Sequence, residues 1–271
     1  MLKKLMKYDL IWINKILVIY YALGIFFAVA SRLLDSVQNS VFFSVLGKIC
    51  SGTTIAMIIN AVVNGIIRSW VRFNNNIYKD ESYLTHTLPV TKHEIYLSKV
   101  LSAIITIFIA VLLAVICYYI AFMKVAPNEK YSLRNFFDMF LNLNNPYTIL
   151  RYLVFLTLFL EIIIFVLVGY FGVIMGNRHN NKKLLKTFIY GFVGYIICSI
   201  IVLGAILIAG IFDIEIRLFL FDKNTLYREY VDNSYWILVR IIIICVISYL
   251  IEIIGIYLLN YRYFKKGVNV D

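Results

Sequence analysis

The residues able to do chemistry are few, and the informative ones lie where charge is expensive. Glu161 and Glu252 stand inside long apolar runs. A charge at the centre of a membrane-spanning helix costs roughly 2.5–3.5 kcal/mol on insertion scales. Each acid is therefore expected to be protonated, hydrogen-bonded to neutral groups, or turned toward water. Arg68 is the nearest-depth candidate partner for Glu252, and no Lys or Arg is expected at the depth of Glu161. Thr53, Asn60, Asn64 and Arg68 recur at spacings that hold them near one face of another apolar run. Facing lipid, that stripe would be costly, so it should face another helix or a water-filled route. Asn60, Asn64, Arg68, Glu161 and Glu252 are thus the candidate lining of a translocation path. For the asparagines the competing role is hydrogen bonding between helices.

Catalytic constellations are missing from the sequence. It contains no GxxxxGK[ST] phosphate loop, no HExxH and no GxSxG elbow. His86, His93 and His179 fall in polar connections and read as solvated. The four cysteines, Cys50, Cys117, Cys198 and Cys245, lie inside apolar runs without disulfide or metal-ligand spacing, and read as small apolar core residues. A non-enzymatic chain that binds no cofactor or metal of its own is expected.

The elements that position these residues follow from composition. Of 271 residues, 62% are hydrophobic and 15% charged, and mean hydropathy is +0.85. Soluble domains carry about 25% charged residues. The composition excludes a soluble enzyme, a disordered chain and a nucleic-acid-binding domain. Charged residues bracket apolar runs that define spans at about 12–33, 41–68, 99–123, 151–176, 186–211 and 236–260, each near the roughly 20 residues a crossing needs. The expected fold is an all-α polytopic membrane protein with six transmembrane helices in one domain, residues 1–271. With the N-terminus inside, 16 of the 26 Lys and Arg residues fall in inner segments beside only five acids. The positive-inside rule then places both termini in the cytoplasm. Residues 124–150 and 212–235 become extracellular loops.

Tyr78 to Lys99, within the second-to-third inner loop, holds local structure. Thr91 and Glu94 form a capping box, with Val90 and Ile95 at the positions of a hydrophobic staple. A helix therefore starts at Thr91 and runs into the third span. Pro89 disfavours α geometry at Leu88, so an earlier helix must stop there. Asp80, Glu81 and Ser82 suit the start of that short helix. It would carry Tyr83, Leu84 and His86 as a docking knob for a soluble partner.

Those residues also carry a family resemblance. The basic amphipathic start MLKKLMKYDL, the loop pattern of Tyr83, Leu84, Thr87, Leu88, Pro89, Thr91, Lys92, Ser98 and Lys99, the six spans, and the tail with Lys265, Lys266, Gly267, Val268 and Asn269 resemble permease subunits of ATP-binding-cassette type-2 exporters, of the small Gram-positive bacterial type. The resemblance implies an interfacial elbow helix over residues 1–11. It implies a cytoplasmic coupling helix over 82–88, so that Tyr83, Leu84, Thr85, His86, Thr87, Leu88 and Pro89 meet the ATPase. It further implies that ATP and Mg are bound by a separate ATPase subunit. A second permease subunit, identical or a sister chain, would complete the assembly in the bacterial cell membrane. Relatives of this type move amphipathic or antimicrobial peptides, or hydrophobic compounds.

Two other classes compete: an ion-coupled secondary transporter using Glu161 or Glu252, and a non-transporting immunity or assembly factor. Further along, Leu133, Phe136, Phe137, Phe140 and Leu141 repeat at helical spacing, predicting an interfacial helix in the first outer loop. Asn145 and Pro146 read as the start of the fourth span. Gly172 and Gly176, and likewise Ala205 and Ala209, form small-xxx-small pairs that predict close helix packing.

Overall fold

The computed structural model describes residues 1–37, 41–79, 81–122, 146–179, 181–221 and 234–266. They form helices α1 (Leu2–Asp35), α2 (Val41–Tyr78), α3 (Ser82–Thr87), α4 (Lys92–Phe122), α5 (Pro146–Gly176), α6 (Lys183–Phe212), α7 (Ile214–Phe221) and α8 (Ser234–Lys265). Strands are absent among the described residues. Six helices, α1, α2, α4, α5, α6 and α8, are long and apolar enough to cross a membrane. The protein is all-α and multi-pass. Residues 133–141, Asp80, Asn145 and the tail 267–269 lie outside the described residues.

Helix length sets where polar side chains can sit. α2 has 38 residues and α1 has 34. At 1.5 Å per residue α2 is about 57 Å long, well beyond the roughly 30 Å hydrocarbon core. The surplus turns have room for polar side chains without forcing them into lipid. Asp9 in α1 and Arg72 and Asn76 in α2 occupy such turns.

α1 is one unbroken helix from Leu2. The elbow expected over residues 1–11 is therefore not a separate element. Neither Gly nor Pro interrupts this stretch, so nothing disturbs the hydrogen-bond ladder, and its buried Asp9 pins these turns against other helices.

The chain divides into two compact units, Met1–Asn142 and Leu143–Asp271. In the first, α1, α2 and α4 pack on one another and α3 lies against α2. Ile13, Leu17, Phe73, Tyr96, Ala103 and Ile107 are its buried centre, with Phe73 and Tyr96 edge to face at 6.2 Å. In the second, α5, α6 and α8 pack on one another, and α7 lies against α6 and α8. A Cβ added at Gly172 would lie 2.5 Å from the Thr187 carbonyl oxygen and 3.0 Å from the Gly191 nitrogen. The first small-xxx-small pair thus brings α5 and α6 together within one unit.

The connection from α3 to α4 follows the sequence closely. Leu88 is extended, with φ −65° and ψ 140°, as its position before Pro89 demands. The Glu94 amide donates to Thr91 Oγ1 at 3.2 Å, and the Thr91 amide donates to Glu94 Oε2 at 3.1 Å. α7 was not anticipated; it falls in the segment read as an outer loop. Asp213 starts it by accepting hydrogen bonds from the amides of Glu215 and Ile216, at 3.0 and 3.3 Å.

Candidate functional site

The first unit holds a largely buried ionic cluster that joins the four helices formed by its described residues. Asp9 of α1 is 2% exposed and Lys99 of α4 is 5% exposed. Lys99 Nζ donates to Asp9 Oδ1 at 2.6 Å and to Asn76 Oδ1 at 2.7 Å. Arg72 Nε donates to the same Asp9 oxygen at 3.0 Å, and Arg72 Nη1 donates to Glu81 Oε2 at 2.7 Å. Asn76 Nδ2 donates to Glu81 Oε2 at 2.7 Å. Two acids thus meet two cations, bridged by one amide. Taking such charges from water costs several kcal/mol per ion, recovered only where further hydrogen bonds satisfy the pair. Here Asn76 supplies such bonds to Lys99 and Glu81 with both ends of its amide, while Asp9 Oδ2 has no partner among the described residues.

Helix spacing explains how α3 is rooted in this cluster. Residues three apart share a helix face, so Ser82 and Thr85 point inward, 2% and 6% exposed. Thr85 Oγ1 donates to the Glu81 carbonyl at 3.0 Å and lies 3.5 Å from Asn76 Nδ2. Tyr83 and Leu84 point outward, 76% and 67% exposed. Thr87, Leu88 and Pro89 are exposed as well, and the side chain of His86 lies outside the described residues. The segment read as a docking knob therefore has a polar root and an apolar tip. Beside it is a pocket of about 340 Å³, lined by Leu5, Tyr8, Leu84, Leu88 and Ile95 together with the charged cluster.

The candidate path residues of α2 do not gather there. None of Asn60, Asn64 and Arg68 lines this pocket. Asn60 Nδ2 donates to the Ala56 carbonyl and Asn64 Nδ2 to the Asn60 carbonyl, both at 2.9 Å, within their own helix. Arg68 donates from Nε to the Ile13 carbonyl and from Nη2 to the Trp12 carbonyl, both at 2.8 Å. Its guanidinium lies 4.5 Å from the centre of the Trp12 ring, and that of Arg72 lies 5.3 Å from it. Arg68 is thus satisfied by α1, whereas Glu252 belongs to the other unit.

In the second unit Glu161 of α5 accepts a hydrogen bond from the Tyr195 hydroxyl of α6 at 3.1 Å. A neutral donor was one of the environments expected for this acid. Glu252 of α8 is 6% exposed, and neither of its carboxylate oxygens has a hydrogen-bond partner among the described residues. Elsewhere in the unit Arg240 pairs with Asp213 at 2.7 Å and with Glu215. His179, expected to be solvated, stacks on Tyr190 at 5.8 Å and meets its hydroxyl at 3.1 Å. Among the described residues, no three His, Cys, Asp or Glu side chains gather to hold a metal.

The sequence reading counted Lys99 among the inner cations and gave Asp9, Arg72, Asn76 and Glu81 no joint role. The correction for Lys99 is its near-complete burial against Asp9 and Asn76. The available signal was an acid in a strongly basic amphipathic start, together with Arg72 and Asn76 four residues apart on one helix face. The cluster contains no activated nucleophile. What it can do is hold α3 against α1, α2 and α4 through charge-assisted hydrogen bonds. Comparison with models of protein families, with curated proteins and with solved structures finds no match to this chain.

Proposed function

We propose that the chain is the membrane permease subunit of an ATP-driven exporter of the ATP-binding-cassette type-2 class, working with a separate ATPase. The observation that carries this is the two-sided character of α3. Its apolar tip, Tyr83 and Leu84, is exposed, while its root is tied through Glu81 and Thr85 into buried charges on α1, α2 and α4. A docking element for a soluble motor needs both properties. A partner pressing on the tip would displace Glu81 and Thr85. Arg72 and Asn76 would follow, and Asp9 and Lys99 after them, so a push at the surface would reach three spanning helices. The Pro89 break and the capped start of α4 add a stiff second segment.

In this reading both termini and α3 face the cytoplasm of a bacterial cell. ATP and Mg²⁺ sit on the ATPase, and a second permease subunit completes the path. The substrate class, amphipathic or antimicrobial peptides or hydrophobic compounds, follows from the resemblance alone.

The test is co-expression with a cognate ATP-binding-cassette ATPase and purification on this chain. A stoichiometric complex with vanadate-sensitive ATP hydrolysis is expected. Tyr83→Asp with Leu84→Asp should abolish the association and leave the melting temperature of this chain unchanged, since both side chains are exposed. Full retention of the complex in the double variant would remove α3 as the docking element.

A further inference from the structure

The second unit contains a buried acid that ATPase coupling does not use. Glu252 lies in α8, within a helix apolar enough to span a membrane, and is more than nine-tenths buried with both carboxylate oxygens unpartnered. Cys198 of α6 and Tyr249 of α8 lie close enough to feel its charge. Tyr249 in turn lies near Glu161 of α5, Tyr195 of α6 and Cys245 of α8, and Ser248 is buried one turn before Glu252. The obvious donors are already committed. Tyr195 donates to Glu161 at 3.1 Å, and Ser248 donates to the Ile244 carbonyl at 2.8 Å. Apolar packing by Ile164, Val168, Ile253 and Ile256 closes the same region.

Among the described residues of this unit, no cation is paired with Glu252. Arg240 is paired with Asp213 and Glu215 near α7, and Arg178 donates to the Tyr263 carbonyl and lies over that ring. Arg262 is ten residues along α8, about 15 Å away at the helical rise. An ionised carboxylate in such a place would lose its hydration with nothing in return. The uncharged carboxylic acid avoids most of that cost. A Na⁺ or K⁺ ion would need several oxygen ligands, as hard cations do, and among the described residues this carboxyl group has no hydrogen-bond partner.

We propose that Glu252 is a proton-binding site in the core of the second unit, occupied in the packing seen here. Releasing the proton requires α8 to shift against α5 and α6 until the carboxylate gains water or a donor. Protonation is thereby linked to helix packing. This holds whether or not an ATPase docks on α3, so it stands apart from the export reading.

Burial of the protonated form gives stability a definite dependence on pH. A folded state that holds the proton more tightly than the unfolded chain loses stability as pH rises. Cys198 and Tyr249, and beyond Tyr249 the side chains of Glu161, Tyr195 and Cys245, are acids or neutral and bring no positive charge to Glu252.

The experiment uses the full chain in lipid nanodiscs, read by infrared spectroscopy and thermal unfolding. The carbonyl stretch of a protonated carboxyl group is expected at neutral pH, lost on alkaline titration, lost in Glu252→Gln and retained in Glu161→Gln. The melting temperature of the unaltered chain should fall toward alkaline pH, and Glu252→Gln, a neutral isostere, should flatten that slope. Should Glu252→Gln fail to fold, the unaltered chain and Glu161→Gln still decide, because the band must survive in the latter. Absence of the band from the unaltered chain, or its loss in Glu161→Gln, would overturn the proposal. So would stabilisation by added Na⁺ or K⁺ that disappears in Glu252→Gln.

Discussion

Asp9 and Lys99 are 90 positions apart, and their contact decides how the first unit is held together. A single acid among the lysines of the N-terminal stretch reads as charge moderation. A single lysine at the edge of an apolar run reads as a span boundary. Neither carries a local pattern announcing the other, because the pairing exists only once α1 and α4 are side by side. Glu161 was more legible: its depth in an apolar run required protonation, a neutral donor or water, and the identity of Tyr195 was hidden. Removing one partner from a buried ion pair costs about 3–5 kcal/mol. Asp9→Asn removes the carboxylate against which Lys99 is buried, and Lys99→Met removes one of the two cations that meet Asp9. Each should destabilise the protein by about that amount. The double variant should recover at least about 1 kcal/mol relative to the sum, as contacting pairs do. Thermal unfolding in detergent reads both quantities, and strictly additive losses would argue that the two side chains act independently.

Among the elements, local rules predicted well wherever the chain itself carries the instruction. The Thr91–Glu94 box, the stop at Leu88 and the start at Pro146 are written in a few adjacent residues, and α3 and α4 begin and end accordingly. Residues 1–11 continue directly into the first long helix, because amphipathic character at a basic N-terminus does not by itself break a helix. α7 was missed because eight residues after Asp213 lack the length of a span, and only the Asp213 cap marks their start. Close helix approach gives the sharpest test at this scale. Gly172 of α5 has the α6 backbone in the space a Cβ would take, whereas Gly204 of α6 has nothing within 4 Å. Gly172→Ala should cost about 1–3 kcal/mol as an overpacked contact. Gly204→Ala should be neutral, or stabilising by up to about 1 kcal/mol through helix propensity. Equal effects would mean that α5 and α6 do not meet at Gly172.

At the scale of the whole molecule, span number and charge bias bear on the same question from different directions. Among the described residues the long helices number six, three in each compact unit. An even number of crossings puts both ends of the chain on one side. On the export reading that side is the cytoplasm, as the positive-inside rule expects when 16 of the 26 basic residues fall in the segments that this arrangement groups together. The burial of Lys99 and Arg72 in the ionic cluster weakens that count without reversing it, since the remaining inner cations, such as Lys3, Lys4, Lys182 and Lys266, do not depend on it. The export reading requires α3 to share the side of both termini. In cells whose four native cysteines are replaced, Lys3→Cys, Tyr83→Cys and Lys265→Cys should react with a membrane-impermeant maleimide only after permeabilisation. Arg217→Cys, exposed on α7, should react in intact cells. Labelling of Tyr83→Cys from outside would remove any route to a cytoplasmic ATPase. Labelling of Lys3→Cys and Lys265→Cys from opposite sides would mean that one of the six long helices does not cross.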